Sequence, residues 1–247
     1  MNKRKILQIL LLLTMVIVTG CATTTSPSAT GMRGAPAVDE IVGRLNRIAP
    51  GSSQLVLVTG EAGATASAVL AIGLEKEDGA WRVAVPAIDA VIGSGGFAEP
   101  GRKREGDMRT PSGVFPLERT FGYQPSLDSK MPYRQVTGED VWVDDVNADD
   151  YNRPAKKGET RANSFEKLKL RNDLYRYLLV VEYNTRPVVK GMGSAIFFHT
   201  WAGPGIATSG CIAMPQEQLM RLLRWLDPAK RPVAVMGQKR VLAALGR

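Results

Sequence analysis

Apolar residues along this chain fall into short runs, most at the two-residue period of strands and a few at the spacing of a helix face. Gln54 to Thr59, Ala66 to Leu74 and Trp81 to Val85 are rich in Leu, Val, Ile and Ala, and Gly-containing turns such as Asp78-Gly79 separate them. That pattern predicts three successive strands. Tyr177 to Tyr183 predicts a buried strand, with Glu166 to Leu170 as part of a short helix before it, and Pro232 to Met236 predicts a last strand. Helical spacing appears at Ile41, Val42, Leu45 and Ile48, within 39–48, where Pro50-Gly51 ends the run. It appears again at Leu219, Leu222, Leu223 and Leu226, which Pro215 starts and Asp227-Pro228 stop. Lys239 to Arg247 is a short basic tail compatible with helix. Many short strands and few helices predict a mainly β domain.

The first residues break this pattern. Lys3-Arg4-Lys5 precedes a continuous apolar run from Ile6 to Val18, too short for a membrane span and interrupted by Gln8, which is the layout of a signal peptide over 1–20. Val18-Thr19-Gly20-Cys21 resembles a bacterial lipobox, in which Cys21 becomes the acylated first residue of the mature protein. Lipid chains there would hold the domain at a membrane. Ala22 after that Cys, in place of Asp, resembles the outer-membrane sorting signal of Gram-negative bacteria. The expected location is therefore the bacterial cell envelope, lipid-anchored and facing the periplasm, at the outer membrane rather than the inner. Residues 21–37, rich in Thr, Ser, Ala, Gly and Pro without a hydrophobic period, predict a flexible tether, and 38–247 the folded domain.

Charge narrows the partners. The chain carries a formal +8, and three of its basic groups with no acidic ones lie in 1–20, leaving +5 after cleavage. A moderately basic exported protein suits an anionic partner such as a cell-wall polymer. No block of basic residues with interleaved aromatics appears, so nucleic acid is not an expected partner. Nothing in the sequence signals an oligomeric state.

The candidate chemistry sits in one stretch. Ile196 to Trp201 is a β-branched and aromatic run that delivers His199, the only histidine, and Ser209-Gly210-Cys211 presents the only cysteine besides Cys21. With Cys21 acylated, Cys211 is a leftover thiol in an oxidising compartment, a pattern that flags reactivity. A thiol titrates near ~8.5 and only its thiolate attacks carbonyl carbon; an imidazole lowers that pKa or removes the proton directly. Small residues at Ser209 and Gly210 would let the amides of Gly210 and Cys211 approach a developing oxyanion. A free Cys and a lone His on an apolar strand are also ordinary core residues, and the two residues by themselves leave both readings open. A catalytic pair is expected to show an acid-shifted thiolate, a binding module an ordinary or buried thiol.

The segment from Gly193 to Met214, GSAIFFHTWAGPGIATSGCIAM, resembles the catalytic motif of the L,D-transpeptidase (YkuD-type) family, a His followed by a loop and then Ser or Thr, one residue or none, Gly and the nucleophilic Cys. A second block, Gly106-Asp107 through Thr110-Pro111, Gly113, Phe115 and Leu117, is similar to that family's G-D-x-x-T-P-x-G-x-F-x-L segment. The likeness covers about 92–237, and two blocks in the right order are more specific than either alone. It implies an L,D-transpeptidase-like β-sandwich or barrel with a few covering helices. It also implies acyl transfer on peptidoglycan stem peptides through a Cys211 thioester, with His199 as base, Gly210 in the oxyanion hole and Ser209 shaping the turn. Thr200 and Trp201, beside the base, are expected to wall the substrate groove. No cofactor and no metal is implied. The chain departs from many members in carrying Ile212-Ala213-Met214 where they have Arg or Asn, so no basic side chain stands there to hold a donor carboxylate. Release of the same thioester by water, giving an L,D-carboxypeptidase, is the alternative within enzymes, and a wall-binding lipoprotein with an inactive catalytic fold the alternative outside them.

Two other motifs fail on their surroundings. Gly93-Ser94-Gly95-Gly96-Phe97-Ala98 matches a dinucleotide fingerprint, but Glu99-Pro100-Gly101 breaks the helix that must follow. Asp145 to Asp149 imitates a calcium loop, yet Asp150 replaces its Gly and Lys156 its bidentate Glu, and one His makes a zinc site unexpected. The long stretch 121–184, with aromatic and polar clusters in irregular sequence, is either a lid or groove wall over the thiol or a surface excursion.

Overall fold

A computed structural model describes residues 41–61 and 69–245. The signal segment 1–20, Cys21, the tether 22–37 and the starts of the first helix and second strand lie outside the described residues. The elements are α1 (Leu45–Ile48), β1 (Gln54–Gly60), β2 (Val69–Glu77), β3 (Ala80–Ala90), β4 (Gly113–Gly122), β5 (Tyr133–Gln135), β6 (Asp140–Val143), β7 (Pro154–Lys156), β8 (Phe165–Lys167), β9 (Tyr177–Val181), β10 (Phe197–Thr200), β11 (Ile212–Met214), α2 (Gln216–Trp225), β12 (Val233–Gln238) and α3 (Lys239–Leu242). The fold is mainly β, as the hydrophobic pattern predicts. Glu166 to Leu170 is a correction: β8 takes Glu166 into a strand, opposite Trp142 of β6, where the alternation of Glu-Lys-Leu-Lys-Leu fits a pleat.

One mixed sheet runs β11-β10-β9-β4-β12-β1-β2-β3, with β5 joined to β4. It curls so far that its two end strands meet: Val91, just past β3, exchanges backbone hydrogen bonds of 2.8 and 2.9 Å with Ala213 of β11. That closure decides between sandwich and barrel in favour of a curled, barrel-like sheet. A second sheet, β7-β6-β8, lies over its β9–β10 end.

Among the described residues, strand alternation sorts most buried side chains into three main cores. Inside the curl lie Val56 and Val58 of β1, Leu179 and Val181 of β9 and Phe198 of β10, plugged by Leu219, Leu222 and Leu223 of α2 and by Leu226 just past its end. On the outer face of β1, Leu55 and Leu57 pack with Ile41 and Leu45 near α1 and with Leu242 of α3. The third core sits between the main sheet and the small one: Leu178 and Val180 of β9, Phe197 of β10, Trp142 of β6, Tyr175 and Cys211. This third layer carries the thiol, so the small sheet positions the site.

Candidate active site

β10 and β11 run parallel, with His199 opposite Ala213 and Phe198 opposite Ile212. Cys211 precedes Ala213 by two positions, so the two-residue period puts Cys211, Ala213 and His199 on one face of the pair. Strand spacing and rise then place the Cys211 and His199 backbones about 8 Å apart, within reach of two side chains leaning together. Both line one cavity of about 320 Å³, with Ser209 and Gly210 at its rim and Lys103, Glu105, Glu166 and Tyr175 along its walls.

The imidazole is held by its own strand. His199 Nδ1 lies 2.7 Å from the carbonyl oxygen of Thr200, an acceptor, so Nδ1 carries the proton and Nε2 keeps its lone pair. Tyr175 packs edge-on against the ring at a centroid distance of 5.0 Å, and Thr200 N–H donates to Leu174 O at 3.0 Å. Burial pushes the imidazole down to about 4, against the opposing pull of the Thr200 carbonyl.

The thiol is buried at the cavity floor and donates to Ala195 O at 3.3 Å. Burial pushes Cys211 up to about 12, with the Phe197 N–H working the other way. The acid-shifted thiolate expected of a catalytic pair is therefore not what these surroundings produce. A neutral thiol and a neutral imidazole therefore share the cavity, and no thiolate–imidazolium pair is formed in advance.

The turn that presents Cys211 is built by hydroxyls. Thr208 Oγ1 donates to Cys211 O at 2.7 Å and accepts the Gly210 N–H at 3.1 Å. Gly210, expected to donate to an oxyanion, thus has its amide turned to Thr208. Its φ of 147° and the 3.0 Å from an added Cβ to Arg109 O explain why glycine stands there. Thr110 ties the second motif to the first, donating to Gly210 O at 2.8 Å and accepting Gly93 N–H at 3.0 Å. Asp107 accepts from Lys103 Nζ at 2.6 Å and from the amides of Arg104 and Arg109, which fixes the loop before Thr110.

Thr200 and Trp201 do not line the cavity. Alternation turns the Thr200 side chain away from the face that His199 occupies, and its Oγ1 is buried without a partner. Trp201 packs beside Val91 and Ala213. The wall is supplied instead by 121–184, through Asp144, Glu166, Leu170, Leu174 and Tyr175. Glu166, whose carboxyl is pushed up by burial, was hidden in sequence by its helical reading, and Tyr175 by its place just before β9.

The glycines of the dinucleotide-like run serve packing: a Cβ on Gly93 would lie 2.3 Å from Met108 O, and one on Gly95 3.0 Å from Asp107 O. Asp145 of the calcium-like run accepts from the amides of Asn147 and Asn163. Among the described residues no group of three or more His, Cys, Asp or Glu is placed to hold a metal ion.

A family model for the L,D-transpeptidase catalytic domain (YkuD) matches residues 71–235. No curated protein matches the chain. Among solved structures it is similar to the helical cell shape determining protein Pgp2 from Campylobacter jejuni, at 13% identity and a TM-score of 0.39, over 83% of this chain. The chain spans 60% of the length of that one.

Proposed function

Since the chain belongs to the YkuD family of L,D-transpeptidase catalytic domains, we propose that it transfers acyl groups between peptidoglycan stem peptides with Cys211 as nucleophile and His199 as base. The observation that carries this reading is the placement of a thiol and an imidazole with a free Nε2 on one strand face, opening into one cavity.

In the first half-reaction His199 Nε2 takes the thiol proton as Sγ bonds to the carbonyl carbon of the donor amide. The Cys211 amide holds the oxyanion, since the Gly210 amide is turned to Thr208. Collapse breaks the C–N bond, the imidazolium proton goes to the leaving amine, and a Cys211 thioester remains. An acceptor amine then attacks the thioester carbonyl and gives a proton to His199; the C–S bond breaks, the new amide departs, and the imidazolium returns the proton to Sγ, restoring the thiol. Thr110 and Thr208 hold the turn that carries Cys211, and Tyr175 holds the imidazole. The signal segment, the lipobox and the tether support a lipid anchor at Cys21 and a place facing the periplasm, at the outer membrane of the bacterial envelope.

Incubation with defined muropeptides, followed by mass spectrometry of the products, tests the reaction. Cross-linked or amine-exchanged stems that depend on Cys211 are expected. Stems shortened by one residue and no amine adduct would assign release by water instead.

A further inference from the structure

The carbonyl that receives the Cys211 thiol proton belongs to Ala195, whose backbone is left-handed, with φ at 52°. For a residue with a Cβ this region is disfavoured, and it persists where neighbours hold it. Asn152 is such a neighbour. Its buried amide has two acceptor and two donor positions, and all four are used. Oδ1 accepts from Ala195 N at 3.2 Å and from Trp142 Nε1 at 2.8 Å; Nδ2 donates to Tyr183 O at 3.1 Å and Asn184 O at 2.7 Å. Tyr151, the residue before, takes the Gly193 N–H on its hydroxyl oxygen at 3.0 Å, so consecutive side chains grip 193–195 at both ends. The Trp142 indole stands edge-on to Phe197 at 5.2 Å, and the Phe197 N–H is the other backbone group that faces the sulfur.

We propose that Asn152 is a positioning residue for acyl transfer: by holding Ala195 in the left-handed region it fixes the carbonyl that orients the Cys211 thiol in the cavity. The proposal rests on Cys211 being the nucleophile. Aspartate in this place lacks the two donors and an aliphatic residue lacks all four groups, so only an amide of this size closes the set. Asn152 is itself left-handed, at φ 57°, a conformation that asparagine tolerates better than most residues.

The test compares Asn152→Ala with the double variant Asn152→Ala/Ala195→Gly, reading kcat and KM for a donor muropeptide and the rate of Cys211 alkylation by iodoacetamide against pH. Glu166 and Lys103, the charged groups that face the sulfur, are untouched by these changes. Asn152→Ala is expected to lower kcat about tenfold, the factor corresponding to one left-handed residue, and to leave KM within about twofold. Its alkylation midpoint should move down, because the carbonyl that accepts from the protonated thiol is released, while burial keeps it above the ~8.5 of an exposed thiol. The double variant should recover most of both, because glycine adopts this backbone unaided. Packing lost around Trp142 would not be repaired by removing a methyl group from Ala195. A double variant no better than the single one, or a wild-type alkylation profile in Asn152→Ala, overturns the proposal. If Asn152→Ala does not fold, Ala195→Val makes the left-handed region costlier from the other end of the contact. Its alkylation profile must then shift, and an unshifted one overturns the proposal equally. Alkylation reads the thiol whether or not it attacks peptide, so turnover that survives Cys211→Ala would remove the functional reading and leave this comparison standing.

Discussion

β1 and the β10–β11 pair are both buried, and they use burial for opposite ends. All seven residues of β1 are inside, Val56 and Val58 toward the curl and Leu55 and Leu57 toward the outer core, in unbroken register with β2 and β12. Around β10 and β11 the backbone turns left-handed at Ala195, and Thr200 Oγ1 is buried without a partner. Hydrocarbon on both faces of β1 stabilises the fold. The same low-dielectric surroundings at the other place keep a thiol protonated and an imidazole uncharged. A sheet that packs β1 on both faces in unbroken register, with Thr59 Oγ1 its one buried hydroxyl lacking a partner, can hold a strained backbone a few strands away.

Substitutions in the two regions should therefore separate cleanly. His199→Gln, which keeps most of the side-chain volume, should lower kcat by about 10²–10⁴, the usual worth of a positioned base, with a much smaller effect on unfolding above pH ~6.5 than a core truncation has. Leu57→Ala should do the reverse, costing about 2–5 kcal/mol of stability by denaturant titration while kcat in the folded protein holds. A variant that moves both quantities together would break the comparison. Acid sharpens it further. His199 titrates lower folded than unfolded, so its contribution is fully present above its unfolded value near ~6.5 and is lost as pH falls toward about 4. Over that window the wild type should lose about 3 kcal/mol more than His199→Gln, measured as the difference between two urea series.

Much of this was legible along the chain, and the failures have physical causes. β1, β9 and α2 are long enough for periodicity to identify them, and the two motif blocks pointed to the pair that lines the cavity. β5, β7 and β8 are three residues each, and strands that short exist only because of what they pair with. The Glu166 stretch reads as helix because Glu, Lys and Leu are good helix formers, and tertiary pairing with Trp142 overrides them. Burial of the thiol is likewise a product of the small sheet closing over it, which no local pattern records. Adjacency to His199 suggests a groove position for both Thr200 and Trp201, whereas alternation turns Thr200 away and Trp201, past the end of β10, packs on Val91 and Ala213. Thr110 lay inside a quoted motif, yet its bonds to Gly210 and Gly93 span distant parts of the sequence.

Acyl transfer by this site requires the sulfur of Cys211 to carry the acyl group. Intact-protein mass spectrometry after rapid mixing with a donor muropeptide, followed by peptide mapping, reads this directly. A thioester mass increment on the peptide containing Cys211 is predicted in the wild type, together with its absence and the loss of turnover in Cys211→Ala. Turnover persisting in Cys211→Ala, or an acyl group mapped to another residue, would contradict it.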